Sequence, residues 1–446
     1  MRTLIQALKT KELRNKILFT LGIIIIYRIG SFIPTPGVDY TVVQQCVGKM
    51  NNASENFIGL VNLFSGGAML QLSIFALGVM PYITASIVIQ LLRVVIPRFE
   101  ALHKEGQSGE AKLTQYTRYL TIIILILQGS AYLTNLHAQI QPEFFLIKGA
   151  FFTIYSVIIL AAGSMFVLWL GEKITDKGIG NGVSIIIMIG IIARLPFAFF
   201  AELTSRVSQQ GGGLVAFLIE IILLFFVFCG TILLVQGTRK VPVQYAKRIV
   251  GNKQYGGVRQ YIPLKINAAG VMPIIFAQAI MLLPISFVNY AASESLSGFA
   301  TAFSNFTGFW YNFTFFILIV AFTYFYTAIT VNPMQMSEDM KKNGGFIPGV
   351  KPGRKTMEFL DTIMSRITLP GSIFLGIVAI LPAFATIAGV NQQFAQFYGG
   401  TSLLILVGVV LDTLQQIESH LLMRHYDGLM KTGRIKGKTP GGPAAY

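Results

Sequence analysis

Three parts of the sequence hold residue types that could do chemistry. Gly433-Arg-Ile-Lys-Gly437-Lys438-Thr439 has the glycines, lysine and threonine of a loop that cradles nucleotide phosphates. Three residues separate its glycines where four are needed, however, and the tail before it carries no strand pattern. Gly178-Ile179-Gly180-Asn181-Gly182 imitates a dinucleotide-binding glycine run but opens an apolar helix instead of a strand-turn-helix crossover. The four histidines, His103, His137, His420 and His425, all lie outside the deep parts of the apolar segments. Neither a metal site nor a serine-histidine pair is therefore expected within a membrane. Cys46 and Cys229 fall in different regions and imply no disulfide framework. The expectation is a chain without catalytic residues, metal or cofactor.

The elements around these residues explain why chemistry is scarce. Of 446 residues, 53% are hydrophobic and 12% charged, more apolar surface than a soluble domain of this size can hide. Hydropathy predicts ten spans, Ile17 to Ile33, Leu72 to Leu92, Tyr119 to Leu136, Phe151 to Leu170, Val183 to Phe200, Leu214 to Val235, Ala268 to Tyr290, Phe309 to Val331, Leu369 to Val390 and Ser402 to Ile417. Segments on the N-terminal side of these spans hold 30 Lys and Arg, whereas the other side has Lys49, Lys148, Arg194 and Arg206. By the positive-inside rule both termini are cytoplasmic. The net charge of +16 is mostly this bias, and it leaves a basic face suited to anionic lipid, RNA or an acidic protein surface. The first span follows a basic lead but is too long for a signal peptide core, and Pro34 and Pro36 stand where a cleavage site would need small residues.

Ionisable residues inside spans usually mark ion or substrate paths. Arg28 and Arg194 are expected near the outer ends, snorkelling to water, and Glu418 does the same at the inner end. Glu220 and Asp412 lie deeper and call for a partner on another helix or subunit. Gln90, Gln128 and Gln278 fall in the second, third and seventh spans. Hydrogen bonds between such glutamines contribute about 0.6–2 kcal/mol each, enough to hold a separable interface shut.

Two features concern organisation. The segment from Phe57 to Gln71 is too short to cross, has Gly66 and Gly67 at its middle, and precedes the 21 uncharged residues from Leu72 to Leu92. It reads as a stopper lodged in a cavity, since such backbone survives in a membrane only beside protein or water. The spanning helix is predicted to begin at Leu72. The second feature is a repeat: Gly78-Val79-Met80-Pro81 recurs as Gly270-Val271-Met272-Pro273, and Gly182-Val183-Ser184-Ile185-Ile186-Ile187 is echoed by Gly400-Thr401-Ser402-Leu403-Leu404-Ile405. Each partner lies five spans on. An odd offset inverts the second half relative to the first, a plan whose central site forms between the halves. The repeat singles out Ile83 with Ile275 and Ile187 with Ile405, four aliphatic side chains able to converge.

Two cytoplasmic segments are too long to be turns. Residues 237–265 carry Arg239, Lys240, Lys247, Arg248, Lys253, Arg259 and Lys265, and alternation at Val241 and Val243 predicts a short hairpin. Residues 334–366 contain Pro348-Gly349-Val350-Lys351-Pro352-Gly353, turn chemistry that presents Lys351 on a rigid tip.

These residues resemble the SecY family, the central subunits of protein-conducting translocons, over essentially the whole chain. Ser73 to Leu92 is similar to the family's first signature and Trp169 to Ile187 to its second. Asn62-Leu63-Phe64-Ser65-Gly66-Gly67-Ala68 resembles its plug, and Pro348 to Gly353 the tip of its last long cytoplasmic loop. The resemblance implies an all-α polytopic protein of ten helices in two inverted five-helix halves around an hourglass pore. The first half would be 1–212, with the plug in 57–71, and the second 213–446, with loops 237–265 and 334–366 and a basic tail. It implies a pore ring of Val79, Ile83, Ile187, Ile275 and Ile405, with Val183 a further candidate. A lateral gate with Gln90, Gln128 and Gln278 near its seam would release hydrophobic segments into lipid.

The implied partners are SecE and SecG, the SecA motor or the ribosome, and preproteins with their signal peptides. Docking of the motor or ribosome would fall to Arg239, Lys240, Lys247, Arg248, Lys253, Arg259 and Lys351. The implied location is a bacterial cytoplasmic membrane. Lys351 stands where the family usually has arginine and lacks its planar fork, and Asn252-Lys253 replaces a basic pair. A secondary transporter for a small solute, and a lipid scramblase or scaffold, remain open from the residues alone; the transporter would need polar groups near the midplane.

Overall fold

The computed structural model describes residues 10–36, 65–69, 71–139, 150–208, 213–245, 248–250, 253–255, 259–278, 280–281 and 307–431. Its helices are α1 (Lys11–Gly30), α2 (Met80–Val95), α3 (Pro97–Lys104), α4 (Gln107–Gln139), α5 (Ala150–Lys177), α6 (Gly182–Ser208) and α7 (Gly213–Gln236), followed beyond the strands by α8 (Phe309–Thr330), α9 (Pro333–Lys342), α10 (Arg354–Ile387), α11 (Gln392–Ala395) and α12 (Gly400–Lys431). A further helical segment spans 272–278. Among the described residues six helices are long and apolar enough to cross a membrane: α5, α6, α7, α8, α10 and α12. The chain is a helical, multi-pass membrane protein. Helices α1 and α4 cover the predicted first and third spans with more polar ends, and the predicted seventh span is described only to residue 281.

The second predicted span is corrected. Its helix begins at Met80, and residues 72–79 form turns instead. Leu72 and Gly78 have φ of 49° and 53°, left-handed values that interrupt a right-handed helix. Pro81, with no N–H to give, opens the helix that follows. Past Val95 the chain turns by 101° into α3, because Ile96 is held extended by the proline after it.

Two buried clusters share α12. Ile405 and Val409 of α12, with Phe394 of α11 and Val390 before it, join Ile23 and Tyr27 of α1, Val167 of α5 and Ile186, Ile187 and Ile191 of α6. Leu403, Leu404 and Val407, on another face, join Ile274, Phe315 and Ile319 of α8 and Leu375 and Val378 of α10. The apolar positions of α12 thus tie the two sides of the molecule together.

Candidate functional site

The repeated Gly-Val-Met-Pro motif builds the same local structure twice. Gly78 and Gly270 both take a left-handed φ, 53° and 65°, where a Cβ is disfavoured. A helix starts at Met80 in one copy and Met272 in the other, with the proline in its first turn. The Ile83 amide donates to the Val79 carbonyl at 3.1 Å, and the Ile275 amide to the Val271 carbonyl at 3.4 Å. Ile83 and Ile275 therefore hold equivalent positions one turn into equivalent helices. Gly182 and Gly400 likewise open α6 and α12, leaving Ile187 and Ile405 five residues in, 6% and 7% exposed.

The sequence-derived aliphatic residues meet only in part. Val79, Ile187 and Ile405 are buried in one cluster, with Ile83 and Val183 packed on its edge. Ile275 belongs to a neighbouring cluster of Ile87, Ala269, Phe276 and Tyr326, which Ile83 also touches. Ile83 is the link between the two.

Beside this cluster lies the short glycine segment. Of the proposed stopper, Ser65, Gly66, Gly67 and Ala68 are described; Asn62, Leu63 and Phe64 lie outside the described residues. Its irregular backbone is gripped by protein, as membrane depth requires. The Tyr27 hydroxyl donates to the Ser65 carbonyl at 3.3 Å, Arg28 Nη1 to the Gly66 carbonyl at 2.9 Å, and the Tyr132 hydroxyl to the Met69 carbonyl at 3.2 Å. Further along, Thr35 donates its amide and hydroxyl to the Leu72 carbonyl, and Ile74 N–H reaches the Ile33 carbonyl. A Cβ on Gly66 would stand 2.8 Å from Gly190 Cα, so only glycine seats here without displacing α6. Arg28 and Arg194, expected near the outer ends of their spans, both reach the glycine segment. Arg28 turns to Gly66, and the Arg194 guanidinium lies 3.4 Å from where a Cβ on Gly67 would be.

The sequence pattern of the SecY family matches residues 73–414. The protein translocase subunit SecY of Streptomyces coelicolor is 47% identical over 443 residues, covering 96% of this chain and 99% of its own. That of Mycobacterium tuberculosis H37Rv is 45% identical over 442 residues, with 96% and 99% covered. The chain belongs to the SecY family. Its fold agrees with a solved structure described as a protein-conducting channel, at TM-score 0.55, 17% identity and 91% coverage of both chains. It agrees equally with one whose description assigns to the plug of that SecY protein the stabilisation of a closed state and a membrane seal, at TM-score 0.54 and 17% identity over 91% of each chain.

Within this SecY-family fold α2 meets the 269–276 segment and α8 in an apolar contact. Ile83, Ile87 and Leu91 of α2 pack against Ala269, Met272, Ile275 and Phe276, and against Phe322 and Tyr326 of α8. Phe276 stacks on Phe322 with ring centroids 5.6 Å apart and tilts on Tyr326 at 5.2 Å. Gln90, Gln128 and Gln278 are each half-buried, and no side-chain hydrogen bond joins any two of them among the described residues. What sequence reasoning missed is Tyr326, 4% exposed, whose hydroxyl is buried with no hydrogen-bond partner among the described residues. Nothing in the local sequence distinguishes it from Tyr324. A buried orphan hydroxyl costs about 1–3 kcal/mol, so Tyr326→Phe is expected to strengthen the packing of α8 against α2 by about that much. The unfolding midpoint of the purified protein in detergent should rise accordingly, and an unchanged midpoint would show that the hydroxyl costs nothing there.

The two long segments between spans, 237–265 and 334–366, form one body. Strands β1 (Thr238–Tyr245) and β4 (Arg259–Lys265) pair antiparallel as the valine alternation predicts, with Val241 and Val243 2% and 1% exposed. A smaller hairpin joins β2 (Arg248–Val250) to β3 (Lys253–Tyr255), so Arg248 and Lys253 sit on its two strands. Unforeseen from sequence, β5 (Gly345–Phe346) adds to the other edge of β1, and Met340, Ile347, Leu360 and Met364 complete a shared core. Two residues are too few to show a strand period. The tip is fixed by Ser337 donating to the Gly353 carbonyl at 2.8 Å and Thr356 to the Lys351 carbonyl at 3.0 Å, which leaves the Lys351 side chain exposed. Arg239 and Lys240 are exposed on β1, Arg259 lies on β4 opposite Gln244, and Lys247 lies outside the described residues.

A third constellation went unread in the sequence. Glu202, 1% exposed, accepts from Arg206 Nε at 2.9 Å and from the Asn391 amide at 2.8 Å. Arg206 also donates to Glu220 of α7 and to the Gly389 carbonyl. Glu220 thus finds its partner within the chain. The Tyr398 hydroxyl donates to the Glu220 carbonyl at 2.8 Å, and burial, followed by the nearby carboxylates, pushes its pKa up so that it stays a donor. The i, i+4 spacing of Glu202 and Arg206 in an apolar helix was the available signal.

Proposed function

We propose that this chain is the channel subunit of a protein translocase, passing unfolded polypeptides across a bacterial cytoplasmic membrane and releasing hydrophobic segments sideways between α2 and α8. What supports this above all is a buried glycine stopper seated beside the cluster of Val79, Ile83, Ile187 and Ile405. Aliphatic side chains give an ion no substitute for its water yet yield around a passing chain. Ile275 completes the ring from the neighbouring cluster when the seam moves. The halves would be 1–212 and 213–446, inverted about the membrane plane, with both termini cytoplasmic. The chain acts without catalytic groups of its own; SecA or a ribosome supplies the drive, and SecE and SecG brace the helices. A solute transporter is disfavoured by the aliphatic character of the convergence point.

The deciding test places a photoreactive residue at position 83 or 275 and stalls a partly exported polypeptide in the complex. Crosslinks to the stalled chain are expected from both positions; their absence would overturn the reading. The fused cytoplasmic sheet is the docking platform. Lys351→Glu is expected to slow motor-driven translocation by about tenfold, as a like charge facing an acidic partner would, with the amount of assembled chain in membranes unchanged. An unaltered rate would remove Lys351 from the docking surface.

A further inference from the structure

A polar cavity of about 500 Å³ lies between α6 and α12, lined by Asn181 and Ser184 at the start of the first helix and by Val409, Asp412, Thr413 and Gln416 of the second. Its floor is aliphatic, because Val409 also packs in the cluster that holds Ile187 and Ile405. Ile405, Val409 and Asp412 follow one another at helical spacing, so one face of α12 passes from apolar to charged. At about 1.5 Å per residue Asp412 stands about 10 Å along the axis from Ile405. The polar side chains around it are engaged: Gln416 Oε1 accepts from the Gly180 amide at 2.9 Å, Asn181 Oδ1 accepts from the Ser184 amide at 3.3 Å, and the Thr413 hydroxyl donates to the Val409 carbonyl at 2.7 Å. These bonds fix the rim. Asp412 itself is exposed, is the one charged residue of the described lining, and forms no hydrogen bond or ion pair among the described residues. In a chain of net charge +16, which as a whole repels basic polypeptides, it is the group at this mouth able to attract one.

We infer that Asp412 is a subsite for a lysine or arginine side chain of the entering polypeptide, holding a basic residue at the mouth while the apolar stretch after it meets the aliphatic cluster. The inference rests on the conduit reading above, which makes this cavity the vestibule on the cytoplasmic side. Substrates of such a conduit bring the matching chemistry, since a secretory signal sets basic residues before its apolar core. The cavity is open enough for a long cationic side chain, and the engaged rim leaves the carboxylate as its acceptor. An extended chain advances about 3.3 Å per residue, so a lysine held at Asp412 brings the residue about three places on to the level of Ile405. Charge and apolar character are then read at two neighbouring levels of one helix face.

The experiment uses the complete chain with its partner subunits in lipid vesicles and three forms of one exported protein, with lysine, glutamine or glutamate before the apolar stretch of the signal. Asp412→Asn should lower the ratio of lysine-form to glutamine-form export by about threefold, the worth of an ion pair open to water. Asp412→Lys should turn the preference toward the glutamate form, which a merely structural role for Asp412 would not do. A lysine-to-glutamine ratio left at the parent's value by Asp412→Asn would overturn the inference, whatever happens to the overall rate, because a docked partner or a structural role slows all forms alike. A glutamate form exported no better than the lysine form by Asp412→Lys would overturn it too. A photoreactive residue at position 275 in every variant keeps the two readings apart. Crosslinks to a stalled chain without any charge preference would sink the role of Asp412 alone, and no crosslinks in the parent would sink the conduit reading and this inference with it.

Discussion

Replacing Arg206 by alanine is expected to destabilise the folded chain by about 3–5 kcal/mol, the usual consequence of removing one partner from a buried ion pair. The side chain is 14% exposed and sits between Glu202, at 1%, and Glu220, at 12%. Without it two carboxylates face each other in an apolar setting, and the Gly389 carbonyl also loses its donor. One Glu220 oxygen is buried without a partner among the described residues, so none of them offers a spare donor. The effect should reach well beyond α6, because this cluster joins the ends of α6 and α7 to the 389–398 segment. The measurement is the unfolding midpoint of the purified complex in detergent. Arg206→Lys should recover part of the loss, having the charge but not the fork. Arg206→Met combined with Glu202→Gln and Glu220→Gln should recover more, since the uncompensated charges are then gone. A midpoint for Arg206→Ala equal to the parent's would show that the cluster carries no stability.

How far the molecule could be read in advance depends on how local each feature is. Gly78, Pro81, Gly270 and Pro273 impose their backbone geometry within a few residues, so the two copies of the repeat that the sequence shows take the same local structure. Val241 and Val243 alternate over a period of two, and the hairpin follows. The helix start at Met80 was obscured because hydropathy does not distinguish turns buried in protein from helix facing lipid. Leu72, Phe75, Ala76 and Leu77 are as apolar as any span and all are buried. Arg28 and Arg194 are a related case. Their places near helix ends fit snorkelling, and only the tertiary position of Gly66 and Gly67 offers them another partner. Tyr326 and β5 depend wholly on distant segments, the first on a seam between α2 and α8 and the second on an edge of β1.

The double variant Ile83→Asn, Ile275→Asn is expected to have the largest effect on function. Each isoleucine sits one turn into its helix at the seam, half-buried, with Ile83 shared between the Val79 cluster and the Phe276 cluster. An aliphatic constriction excludes ions because nothing in it replaces their hydration. Two amides supply donors and acceptors at the same level, and a wetted gap follows. Leak conductance should rise by about tenfold to a hundredfold, a barrier lowered by about 1.4–2.8 kcal/mol. The same change should relax selection of substrates, because polar side chains weaken the apolar contact that keeps α2 against Phe276, Phe322 and Tyr326. Proteins with defective signal sequences would then be exported at a measurable rate. Ile83→Leu with Ile275→Leu serves as the control, since volume and polarity are nearly kept and both readouts should stay close to the parent's. If the asparagine pair leaves both conductance and signal selectivity unchanged while the chain still assembles, the constriction lies elsewhere. Raised conductance with unchanged selectivity would separate the two roles, leaving Ile83 and Ile275 in the ring and returning the seam to Phe276 and Tyr326 alone.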